Sequence, residues 1–232
     1  MRSEDVHISP IVYLFCEGDT ELDYLEQITK TRDVQIVKVN RDSSPAKLLR
    51  SAFVFAIGHA GYLRDHPQAQ IWVVFDYDGK QQEIQGCADA LRKCNERCAK
   101  TCEIRDFNRC EFKDVLARIN VAYMAPCIEL WGLICTEKGS ALKTLSLDRH
   151  ELQRQLHVQM PKYSHKSGAR FDLTQMTQTN KAIARAKQWT ATHGSFPDCI
   201  NASYYAGIAP LVEWILACAP KQSASFSPWR RK

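Results

Sequence analysis

Two apolar runs in this chain each deliver carboxylates at their ends. Ile11-Val12-Tyr13-Leu14-Phe15-Cys16 leads into Glu17-Gly18-Asp19-Thr20-Glu21, and Ile71-Trp72-Val73-Val74-Phe75 leads into Asp76-Tyr77-Asp78-Gly79. In open α/β sheets, ligands bind at the carboxyl ends of the strands. Carboxylates gathered there cannot all stay ionised cheaply unless a cation joins them. Mg²⁺ takes such hard oxygen ligands and keeps waters and substrate phosphates in its shell. The chemistry this predicts is metal-dependent cleavage of phosphodiester bonds.

The spacing supports a shared site. Gly18 is expected to let the chain turn sharply off the first strand, and Thr20 to cap the following helix. Glu17 then projects from the strand end and Glu21 from the first helical turn, within reach of one metal cluster. Residues i and i+2 of an extended chain face the same side, so Asp76 and Asp78 can approach one divalent ion. The plainer alternative for the first motif is a strand-to-helix turn whose acids are favoured by the helix dipole. A lone Asp-x-Asp is also common in surface loops. The two motifs together outweigh those alternatives.

Glu129 lies among Ile128, Leu130 and Trp131, where a charge is costly unless paired or directed into a polar cleft. It is a candidate for a further catalytic carboxylate or for positioning a water, against a buried structural glutamate. Lys162, His165 and Lys166 are candidates to clamp a scissile phosphate, with Lys166 in a catalytic role. Arg170, Lys181 and Arg185 are candidate nucleic-acid contacts. A solvated basic loop and a solvated helix face are the ordinary readings of both groups. Cys94, Cys98 and Cys102 recur at helical spacing and could, with Cys87 or Cys110, hold zinc or a cluster. No Cys-x-x-Cys pair occurs, however.

These motifs resemble those of the RloB-like proteins, and more broadly the Toprim domains of OLD-type nucleases. Cys16-Glu17-Gly18 with Thr20-Glu21 is similar to the family's opening motif, shortened by one residue between glycine and threonine. Val74-Phe75-Asp76-Tyr77-Asp78 resembles its second motif. Pro126-Cys127-Ile128-Glu129-Leu130-Trp131 resembles its third, with Ile128 in place of phenylalanine. Lys162-Tyr163-Ser164-His165-Lys166 resembles a Tyr-x-Lys element with one extra residue before the lysine, and the likeness spans roughly residues 10–190. It implies a Toprim/Rossmann-like fold and Mg²⁺ or Mn²⁺ held by Asp76 and Asp78. Glu17 is then a general acid/base or a direct ligand, and Glu21 a further ligand as in the OLD-type variety. A role in antiphage defence beside a partner ATPase is implied as well.

The elements that must position these residues follow from periodicity. Strands are expected at about 10–16, 34–39, 70–76 and 119–124, and a short one at 103–105; the alternation of 34–39 marks a less buried strand. Helices are expected from Thr20, from Pro45 through Phe55, over 82–100, after Pro126, and over 148–158, 179–193 and 204–218. Separated strands alternating with helices predict an α/β fold with a mostly parallel sheet and a helical C-terminal region. The expected organisation is a catalytic core over 1–145, helices over 146–221 packed on it, and a flexible basic tail over 222–232. Tyr204, Tyr205, Leu211, Trp214 and Ile215 form an apolar helix stripe that suits either a partner surface or the core.

Composition sets the frame. The chain has 232 residues, 45% hydrophobic and 25% charged, with a formal net charge of +5; these are the proportions of a globular domain with an ample core. No run nears the roughly 20 apolar residues of a membrane span. The polar start Met1–His7 is unlike a signal sequence, so a cytoplasmic location is expected. Of ten cysteines, Cys16, Cys127, Cys135, Cys199 and Cys218 sit in or beside apolar segments, where free thiols act as small hydrophobes. The positive balance suits a polyanionic partner, RNA or DNA. Two rival functions remain open: nucleotidyl transfer at the same metal site, for which no Gly-rich phosphate loop is found, and a non-catalytic sensing or assembly subunit of an ATPase complex.

Overall fold

The computed structural model of the protein describes residues 9–77, 79–101, 116–140, 148–163 and 171–221, with 93–101 defined by backbone alone. Strands β1 (Ile11–Cys16), β2 (Gln35–Arg41), β3 (Gln70–Asp76), β4 (Ile119–Ala125) and β5 (Tyr205–Ala206) form one sheet in the order β2-β1-β3-β4-β5. The first four run parallel and β5 pairs antiparallel with β4. The fold is therefore α/β with a mostly parallel sheet, as the alternation of patterns predicts. The chain leaves β1 toward one edge and returns through β3 on its other side. The topological switch point thus lies between β1 and β3.

Strand residues alternate between two apolar layers. Val12, Leu14, Trp72, Val74, Ala122 and Met124 face one layer; Phe15, Ile71, Val73, Phe75 and Tyr123 face the other. Burial on both faces explains why β3 reads as an unbroken apolar run. Strand β2 is mostly exposed and occupies the sheet edge, which accounts for its alternating sequence.

Helices α1 (Asp19–Thr29), α2 (Pro45–Gly58), α3 (Ala60–Asp65) and α4 (Gln81–Thr101) fill the crossovers, with Pro45 in the first turn of α2. After β4 come α5 (Ile128–Ile134), the short α6 (Glu137–Ser140), α7 (Arg149–Gln159), α8 (Thr179–His193) and α9 (Ala209–Ala217). Leu152, Leu156, Ala182, Leu211 and Ile215 join the same apolar layer as Val12 and Leu14. The later helices therefore complete the core on one face of the sheet. No helix among the described residues is long and apolar enough to cross a membrane. The expected strand at 103–105 and the basic tail over 222–232 lie outside the described residues.

Three local expectations need correction. The helix expected over 204–218 begins only at Ala209, because Tyr205 and Ala206 extend to pair with Ala125 and Met124. Pairing there satisfies edge groups of β4 that a helix would leave bare. Gly207 permits the approach, since a Cβ on it would lie 2.7 Å from the Tyr123 carbonyl oxygen. Second, Tyr205, Leu211 and Ile215 are buried, whereas Tyr204 and Trp214 are only partly buried against the core, so most of the apolar stripe packs inward. Third, Thr20 lies inside α1 and does not cap it; Gly18 is the N-cap residue and no side chain caps it.

Candidate active site

Four carboxyl groups gather where β1, β3 and β4 end. Glu17 follows β1, Asp76 closes β3, Glu21 sits in the first turn of α1, and Glu129 sits in the first turn of α5 just beyond β4. Asp76, Glu21 and Glu129 are only 5%, 3% and 2% exposed, so water cannot carry their charge. Their mutual reach is visible in the electrostatics. Glu21 feels the charges of Glu17 and Glu129, while the Cys127 thiol feels both Glu129 and Asp76.

Each acid is held differently. Glu17 pairs through Oε1 with the Lys80 ammonium, and its Oε2 accepts the Asp76 backbone N–H at 3.4 Å. Lys80 also donates to the Ser43 carbonyl at 3.0 Å, tying the loop after β2 to the ends of β1 and β3. Gly79, at φ 72°, makes the turn that brings Lys80 back. That left-handed conformation favours glycine. Glu129 accepts at Oε1 from Gln153 Nε2 and from the Tyr163 hydroxyl, each at 3.0 Å, while its buried Oε2 has no hydrogen-bond partner. Tyr163 in turn stacks on Phe171, with centroids 5.2 Å apart. Burial first, then the Glu129 charge, pushes the Tyr163 hydroxyl strongly up, so it stays a donor.

Glu21 folds back toward the start of its own helix. It stands three residues after the N-cap, where a glutamate reaches the N-cap N–H. Its Oε2 comes so near that a Cβ on Gly18 would lie 2.6 Å away. Glycine is needed at 18 for this approach, not for a special backbone turn, since its φ is −118°. Burial pushes the Glu21 carboxyl up to about 7; the Gly18 and Glu21 N–H groups oppose that shift, and the Glu17 and Glu129 charges add to it. Its Oε2 too is buried with no hydrogen-bond partner.

This shift fixes a pH dependence of stability. The folded pKa lies above the unfolded value of 4.5, so the folded state holds the proton longer. Glu21 then costs nothing below about pH 4.5, and its cost grows as pH rises to about 7, reaching on the order of a few kcal/mol. Glu21→Gln should therefore unfold at the same urea concentration as wild type at pH 4 and at a clearly higher one at pH 8. Equal midpoints at pH 8 would mean that Glu21 is not held against its charge.

The structure brings Glu17, Glu21, Asp76 and Glu129 together; Asp78, His165, Lys166 and Arg170 lie outside the described residues. Lys162 is exposed, but it adjoins Tyr163, so its segment does reach Glu129. Lys181 and Arg185 stand apart at a cavity of about 310 Å³ lined also by Ile134 and Ser140, beyond the end of α5 farther from Glu129. Arg185 there lies 5.6 Å over the Trp189 ring.

Sequence reasoning missed Lys80, Gln153 and Arg149, the last of which reaches the site closely enough to act on the Cys127 thiol. For Lys80 the turn signal of Gly79 was available. Gln153 and Arg149 carry no local signal, because α7 meets the site only through tertiary packing. Cys16, Cys87, Cys127, Cys135 and Cys199 are buried free thiols. Burial pushes Cys16 up to about 12 and Cys135 higher still, which keeps both protonated. The side chains of Cys94 and Cys98, and all of Cys102 and Cys110, lie outside the described residues.

The acids fit a divalent cation by their chemistry. They are hard oxygen donors, and two of them present buried oxygens that no protein donor satisfies. Among the described residues, no three His, Cys, Asp or Glu side chains are placed to hold a metal ion as they stand. The reasons are visible: Glu17 is turned to Lys80, Glu21 toward the α1 N-terminus, and Asp78 is outside the described set.

The model of a family described as RloB-like protein matches residues 12–215, most of the chain. No curated protein and no solved structure matches it.

Proposed function

The chain belongs to the RloB-like family, and we propose from that premise that it is a Toprim-type nuclease hydrolysing phosphodiester bonds of RNA or DNA with Mg²⁺ or Mn²⁺. One observation carries this reading: four carboxyl groups from three strand ends converge at the topological switch point, two with unsatisfied buried oxygens. Asp76 and Glu17 would hold the cation, with Asp78 and Glu21 completing the set. When bound, the cation supplies Lewis-acid polarisation of the phosphate and screens charge developing in the displacement.

The chain's own residues supply the rest. Burial disfavours the Glu21 charge, and a bound cation would balance it. Gln153 and Tyr163 fix one oxygen of Glu129 and leave the other free to orient a water. Lys80, once it leaves Glu17, can place its ammonium on a phosphate oxygen. Lys162, with Lys166 and Arg170, would continue the cationic path along the backbone. An unrestrained nuclease harms its host, so control by a neighbouring ATPase in antiviral defence is part of the proposal.

The test is direct. Purified protein is incubated with end-labelled RNA and DNA in Mg²⁺, in Mn²⁺ and in excess chelator. Cation-dependent cuts in one of the polymers support the reading. Binding without any cut, in either cation and with the partner ATPase present, would favour the non-catalytic subunit instead.

A further inference from the structure

Beside the carboxylates lies a cavity of about 420 Å³ that the proposed hydrolysis does not use. It opens at the carboxyl edge of β3 and β4, one residue past each strand. Two of its lining residues lie next to the acids in sequence: Tyr77 directly follows Asp76, and Pro126 stands three residues before Glu129. The Tyr77 N–H donates to the Met124 carbonyl at 2.8 Å, which fixes this residue to the end of β4. Tyr204, just before β5, also lines it. Both tyrosines are partly buried, Tyr77 against one apolar layer and Tyr204 against the other. Their bodies are thus anchored while part of each stays accessible.

The remaining lining is uncharged or acidic. Asn201 supplies an amide, and Asp148 a carboxylate acceptor. Gln81 accepts from the Tyr77 hydroxyl at 3.0 Å and holds that ring in place. Among the described residues the lining holds no lysine or arginine, so the cavity is not built for a phosphate. Aromatic rings with a few amide and carboxylate groups suit a flat, neutral heterocycle that offers N–H donors. A nucleobase has that chemistry, and one extruded from its stack is read by aromatic stacking and by hydrogen bonds to its edge.

We propose that this cavity takes one unstacked nucleobase adjacent to the scissile phosphate, making the substrate a single strand or loop of nucleic acid. The inference deepens the nuclease reading and rests on it for the position of the cut. The neighbouring base enters beside Tyr77 and Tyr204, while its backbone phosphate lies over Asp76, Glu17 and Lys80. A continuous duplex cannot fill the cavity without paying to unstack and unpair a base.

Binding tests this apart from cleavage. The full chain is titrated, in Ca²⁺, into fluorescein-labelled 12-mers of RNA and of DNA, each single-stranded and as a duplex. Single strands should bind at least tenfold tighter than duplexes, and the RNA and DNA arms show which sugar is accepted. Tyr204→Ala should weaken single-strand binding by roughly 10- to 100-fold, the worth of one stacked base. Tyr204→Phe should bind like wild type, because stacking needs the ring and not the hydroxyl. The exposed Asn201→Leu, which does not disturb the core, should alter the preference among bases at one position of the strand. Equal binding of duplex and single strand, or Tyr204→Ala and Asn201→Leu both binding like wild type, overturns the inference even if cleavage is found. Tyr204-dependent binding with no cleavage in any cation, the partner ATPase included, supports the cavity and overturns the nuclease reading instead.

Discussion

Asp76→Asn should remove nucleolytic activity by at least roughly a thousandfold while leaving the fold intact. The side chain closes a strand buried on both faces and is itself buried, so its orientation is set by β3 and by the pairing of Asp76 with Met124 of β4. Asparagine keeps that shape and loses the charge. A catalytic divalent ion is worth several kcal/mol of transition-state stabilisation, and about 4 kcal/mol corresponds to three decades in rate. The same change relieves repulsion among neighbouring carboxylates, so the thermal midpoint without cation should not fall. Activity and melting temperature measured on one preparation decide the matter. An active Asp76→Asn protein would remove the strand-end carboxylates from the chemistry.

Glu17→Gln should be nearly as damaging, for a different reason. Glu17 holds the Lys80 ammonium and accepts the Asp76 N–H. The amide isostere still accepts a hydrogen bond, but it neither balances a cation nor takes a proton. Rate losses of two to three decades are expected, the scale seen when a single preorganised electrostatic contact is removed. Lys80 would also lose its anchor on β1 and keep only the Ser43 carbonyl. Susceptibility of the Lys80 amine to acylation, read by mass spectrometry, should therefore rise in Glu17→Gln. Wild-type cleavage in this variant would reduce the opening motif to a helix-start turn.

Much of this arrangement was legible in the residues because it is local. Five large apolar residues, three of them β-branched and two aromatic, before Asp76 suit a strand buried on both faces, and its end is then where a ligand site forms. The alternation of β2 marked a less buried strand, and it lies at the sheet edge. What escaped notice depends on partners distant in sequence. Two residues of β5 extend inside an apolar stretch with helical spacing, because the open edge of β4 outweighs local preference. Gly18 looked like a turn residue, whereas its lack of a side chain admits the Glu21 carboxylate. Glu129 was visible as a misplaced charge, but Gln153 and Tyr163, which make its burial tolerable, reach it from 24 and 34 residues away. Lys80 is the omission with the largest consequence, since its ammonium pairs with the carboxylate that follows β1.

The central claim is that the acids at the ends of β1 and β3 are a metal centre, and anomalous X-ray scattering from crystals grown with Mn²⁺ tests it most directly. The expected result is an anomalous peak within coordination distance of Asp76 and Glu17, with the Lys80 ammonium displaced from Glu17. Crystals that hold Mn²⁺ elsewhere, or nowhere, with Lys80 still paired to Glu17 at millimolar cation, would contradict the account.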